Sequence, residues 1–107
     1  MHSEQSVDKL AAGAELDRLL HTEVLGGSEA DDKIPLYSSE LEAARALERA
    51  FLYLNVSGRR GAYTAFASLS ADSSGSLVFA ESSAETPALA LARAALKAVR
   101  QTVSHGA

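Results

Sequence analysis

Apolar positions along this chain fall first at helical spacing, then at strand spacing, then at helical spacing again. Leu16, Leu19, Leu20 and Val24 share one face of a helix predicted from near Ala12 to Leu25, and Gly26-Gly27 ends it because glycine accepts the left-handed conformation that closes a helix. Residues 28–36 read as a polar loop, with Asp31-Asp32 in it and a proline at 35 that disfavours helix just before it. A second helix is expected from Ser38 or Ser39, where Ser39 and Glu42 have capping-box spacing. Leu41, Ala44, Leu47, Ala50 and Phe51 form its apolar stripe, and Glu42, Arg45, Glu48 and Arg49 its solvated side.

From residue 52 the period changes from 3.6 to 2. Leu52, Leu54 and Val56 alternate with Tyr53 and Asn55; turns are expected at residues 57–61 and 72–75, with strands over residues 62–69 and 77–80. Both faces of these strands carry apolar side chains, so cover on both faces is expected. Thr86 then caps a last helix with Pro87 in its first turn and a core stripe of Leu89, Ala92, Leu96, Val99 and Val103. Ala90, Ala94 and Ala98 make a smooth second face, suited first to packing within the chain and second to a two-fold dimer. The reading is one α+β domain over residues 10–103, between polar tails at 1–9 and 104–107. Its order is α-α-β-β-β-α, with a three-stranded antiparallel sheet.

Composition narrows the function classes. The 107 residues carry a formal charge of -4, and residues 1–40 hold nine acids against Lys9, Arg18 and Lys33. An acidic front half disfavours general affinity for nucleic acid or an anionic membrane, since both need a basic surface. Without cysteine there is no disulfide, thiolate nucleophile or zinc-thiolate site, and a reducing compartment is expected. No leader or membrane-spanning run is apparent, so a cytoplasmic protein is expected.

Candidate chemistry is sparse. His21 follows Asp17 by four residues on the first helix, the spacing of two metal ligands on one face, but no third ligand accompanies them. The many serines of the strand region suit turns and edges, and no activating base is identifiable near them. Glu29, Asp31 and Asp32 form the one dense acidic cluster; it lacks the ligand pattern of a calcium loop and is a candidate contact for a basic partner. Arg59 and Arg60 are the candidate basic contact, at a hairpin tip. No catalytic, cofactor-binding or metal-binding residue is assigned, and no cofactor is expected.

Three stretches carry a resemblance: Ala14 to Gly26, Ile34-Pro35-Leu36-Tyr37-Ser38-Ser39-Glu40-Leu41, and Glu85 to Val99 with its Thr-Pro-Ala-Leu-Ala opening. Together they resemble the phage ABA-sandwich domain family, which implies an α/β/α layered fold and a phage origin but no activity and no site residues. The α-β-β-β-α order of residues 38–103 also resembles the double-stranded-RNA-binding domain. Where that domain places lysines at the start of its last helix, this chain has Glu85, Thr86, Pro87 and Ala88. The expected function is therefore that of a small phage-encoded accessory protein, not an enzyme, that binds a host or phage protein, inhibition of host defence being one such role. The alternative is a nucleic-acid-binding module using Arg59, Arg60, Arg93, Lys97 and Arg100 as one basic stripe. A homodimer is also open to it.

Overall fold

The computed structural model describes residues 7–28, 30, 33–70 and 77–106, with side chains as far as 102. A single 3-10 turn, Val7–Lys9, leads to α1 (Ala14–Leu19), which widens into a π turn over Leu20–Val24. After the loop comes α2 (Leu41–Arg45), tightening into a 3-10 turn over Ala46–Ala50. The strands β1 (Tyr53–Arg59), β2 (Ala62–Ser70) and β3 (Leu77–Ala84) form one antiparallel sheet in that order, and α3 (Pro87–Gly106) ends the chain. The α+β class and the element order are those the periodicity predicts.

Local chemistry explains most boundaries. Gly26, with φ of 75°, ends the first helical run: the Leu25 N–H donates to the Leu20 carbonyl and the Gly27 N–H to the His21 carbonyl, closing the orphaned carbonyls as a glycine cap does. At the start of α3 the Thr86 hydroxyl accepts from the Leu89 N–H at 3.2 Å, the expected cap. The capping box expected at Ser39 and Glu42 is absent. Residues 37–39 turn instead, with the Glu40 N–H donating to the Leu36 carbonyl, and α2 begins at Leu41 without a side-chain cap.

The hairpin between β1 and β2 is tighter than expected, because Ser57, Gly58 and Arg59 remain in the strand and only Arg60 and Gly61 turn. Gly58 is required there: a Cβ would collide with the Ala62 carbonyl and lie 2.8 Å from the Tyr63 Cα, and its φ is 139°. The second turn, expected at residues 72–75, lies outside the described residues.

The core has α3 at its centre. Ala88, Leu89, Ala90, Leu91, Ala92, Ala94, Ala95, Leu96 and Ala98 are all buried, which requires cover on more than one side of the helix. One side is the sheet, whose inner face presents Leu54, Ala65, Ala67, Val78 and Ala80; the other is the layer formed by α1 with its π turn and α2 with its 3-10 turn, which supply Leu16, Leu20, Ala44 and Leu47. Small side chains on both α3 and the inner face of β2 leave room for a second helical layer on a domain of this size. The fully buried leucines 16, 20, 47, 91 and 96 each contribute about 1.5–3 kcal/mol through apolar burial.

This stacking answers two expectations. Ala90, Ala94 and Ala98 are fully buried, so that smooth face serves packing within the chain and is unavailable to a dimer. The layers run sheet, α3, second helices, so the α/β/α arrangement with cover on both sheet faces is corrected: among the described residues the helices cover one face only.

Candidate functional site

Strand periodicity builds the uncovered face. Alternate residues point to opposite sides, and the register aligns them in rows across the sheet. Tyr53, Ser68 and Phe79 form the first row, Asn55, Phe66 and Glu81 the second, and Ser57, Thr64 and Ser83 the third. Arg59 continues the same side of β1 at the hairpin end. Side-chain bonds confirm the alignment: the Asn55 amide donates to the Tyr53 hydroxyl at 3.1 Å, and the Thr64 and Ser83 hydroxyls are 3.0 Å apart.

The first two rows hold the aromatic side chains of this face. Phe79 is 67% exposed, Tyr53 53% and Phe66 45%, while Leu77 lies half-exposed beside them at the start of β3. Ser68 is buried beneath the aromatics, which border a shallow depression of about 320 Å³. The face thus grades from apolar at one end to serine and threonine, then to Arg59 at the other. Contiguous exposed apolar surface rimmed by polar groups marks an interaction site.

The expected site residues fare differently. Arg59 and Arg60 are exposed at the hairpin tip, as expected. Glu29, Asp31 and Asp32 lie outside the described residues. Asp17 and His21 do not join as ligands: the Asp17 Oδ1 accepts from the Ser38 N–H at 2.8 Å and the Ser38 hydroxyl at 2.7 Å, whereas the His21 Nδ1 lies 3.2 Å from the Tyr37 hydroxyl and its ring stacks on that of Tyr37. No cluster of three or more metal-ligating side chains occurs among the described residues. Both residues therefore dock α1 against residues 37–38. Ser38 completes the junction by accepting from the Gly13 N–H at 3.0 Å, satisfying a donor at the start of α1.

The basic stripe of α3 is engaged within the chain. Arg93 donates to the carbonyls of Leu10 and Ser83, both at 2.9 Å, and Lys97 to the Glu81 carbonyl at 3.0 Å and the Asp8 carboxylate at 2.9 Å. Arg100 forms a two-pronged pair with Glu23 at 3.1 and 3.0 Å. Two of these cations thus cap carbonyls of β3, an edge strand that would otherwise present a template for pairing. Within the segment read as an N-terminal tail, Asp8 accepts a hydrogen bond from Ser82 and pairs with Lys97. Those contacts, the Ser82 bond foremost, hold its carboxyl below the usual carboxylate range against the opposing effect of burial.

Sequence reasoning missed Tyr53, Phe66 and Phe79 as a group. The signal was present: residues 53, 55, 57 and 59 share one parity, and a two-residue turn at Arg60-Gly61 fixes Tyr53 opposite Ser68. The expected second helical cover hid its meaning. No protein-family model, curated protein or solved structure matches the chain. No helix among the described residues is long and apolar enough to cross a membrane.

Proposed function

We propose that this chain is a non-enzymatic binding domain that meets another protein molecule on the outer face of its sheet. The observation that carries the reading is the exposure of Tyr53, Phe66 and Phe79 together on a strand surface whose opposite side packs against α3. Aromatic side chains are enriched at protein interfaces because they bury large area with few rotatable bonds. The resemblance to small phage proteins supports an accessory role in the cytoplasm of an infected cell, with inhibition of a host defence protein among the roles such a surface can serve.

Binding of nucleic acid is less well supported. Arg93, Lys97 and Arg100 are tied to partners within the chain, which leaves Arg59 and Arg60 from the expected stripe.

The test is to compare wild type with a Phe66→Ser, Phe79→Ser double variant in chemical cross-linking of protein complexes, after circular dichroism shows that both are folded. Cross-linked complexes lost in the folded double variant support the reading. Unchanged complexes contradict it. So does a gel shift with single- or double-stranded RNA that weakens with salt and disappears in Arg59→Glu, because the binding surface would then be the hairpin tip and its ligand RNA.

A further inference from the structure

Resting on that reading, we infer that the partner of the outer face is a second copy of this chain, related by a two-fold axis running nearly along β2 between the two sheets. Such an axis keeps each row at its own level and exchanges β1 for β3. The central strand meets itself, so Phe66 packs on Phe66 of the second copy. Tyr53 comes over Phe79 of the second copy, and Asn55 over Glu81 of the second copy.

The hairpin end then supplies the charge match. Arg59 pairs with Ala62 in register, and Glu85 stands one residue beyond Ala84, the last β3 residue paired with β2. Glu85 opens the bend that follows β3, so Arg59 and Glu85 stand near the same level on the two opposite edges, and the axis brings each close to the other twice. Both residues are exposed, and among the described residues no side chain pairs with either.

An axis across the strands would instead set the aromatic rows against the serine, threonine and arginine end. The face is thus complementary to itself in one orientation: apolar on apolar, amide on carboxylate, arginine on carboxylate. Packed sheets cross at about 30°, which shifts the outer rows by a distance an arginine side chain can span.

Area sets the strength. Three strands at a spacing of about 4.8 Å and a rise of about 3.3 Å per residue offer roughly 400 Å² per copy, about half the area of a standard interface and in the range of weak, transient ones. The dimer is therefore a weak one, seen only on concentration.

Sedimentation equilibrium from low micromolar to millimolar protein tests this. The expected result is a monomer–dimer equilibrium. Phe66→Ser should weaken it at least about thirtyfold and Phe79→Ser less, with folding of each checked by circular dichroism. Arg59→Glu should weaken it about tenfold, Glu85→Arg similarly, and the double exchange should restore it. A monomer throughout the range would overturn self-pairing while leaving the outer face open to a different protein. A dimer insensitive to Phe66→Ser and Phe79→Ser would overturn the assignment of the face itself. A dimer sensitive to both but with no rescue in the double exchange would overturn the proposed axis.

Discussion

The two faces of the sheet share the same strands and differ by one residue in phase, yet they do opposite things. Inward positions are Leu54, Ala65, Ala67, Val78 and Ala80, buried under α3; outward positions include Tyr53, Phe66 and Phe79, all exposed. Three large aromatic side chains of the sheet, Tyr53, Phe66 and Phe79, are therefore on the side where side chains contribute least to folding, while Tyr63 and Leu69 pack half-buried against the core on the other. The small side chains are where a helix must approach. On the proposed reading, stability and recognition fall to different parities of one strand pattern.

The sharpest way to break this contrast is to damage the inner side. Ala94→Glu puts a carboxylate at a fully buried position of α3 and is expected to cost more than about 4 kcal/mol, enough to abolish the cooperative thermal transition in circular dichroism. A folded Ala94→Glu protein would mean that α3 is not the centre of the core. Next in size is Asp17→Ala, which leaves the buried N–H and hydroxyl of Ser38 without their acceptor. Urea denaturation should show a loss of about 2–3 kcal/mol, partly recovered by Asp17→Asn.

The outer face should respond in the reverse manner. Phe79→Ser is expected to change stability by no more than about 1 kcal/mol in the same denaturation measurement, since only cross-strand contacts are lost. A larger loss would show that the aromatics serve folding.

The smallest effect belongs to the Asp8 latch over the β3 edge. Its carboxyl is held below the usual range in the folded protein, so the contact stabilises above the unfolded carboxylate pKa, near 3.8, and is lost as pH falls through the lower folded value. The difference in stability between wild type and Asp8→Asn should be less than about 1 kcal/mol at neutral pH, because solvent screens both Asp8 and Lys97, and should decline on acidification below pH 3.8 and vanish once the pH is below the lower folded value. A difference that persists at low pH would assign the effect to packing instead of charge.

Much of this fold is legible from local chemistry. Gly26, Thr86 with Pro87, and the switch of period at residue 52 mark boundaries that backbone sterics and hydrogen bonding enforce wherever they occur. Two features are decided by tertiary contacts and were misjudged for that reason. The second helix is expected from Ser38 or Ser39, but the Ser38 hydroxyl oxygen accepts from the Gly13 N–H and both Ser38 donors go to Asp17, twenty-one residues away, so that α2 starts later. Arg93 and Lys97 look like part of one basic stripe, but the carbonyls of β3 lie within their reach. The outer face is legible in parity, but the pattern predicts it covered, because nothing in a strand pattern states which of two apolar faces receives the helix.

The central claim, that the outward parity of the sheet carries recognition, is tested most directly by backbone amide NMR over a dilution series from about 1 mM to about 20 μM. Concentration-dependent shifts should fall on Tyr53, Asn55, Phe66, Ser68, Phe79 and Glu81 and be absent from the exposed side of α2. Shifts confined to α1 and α2, with the strand amides unmoved, would contradict it.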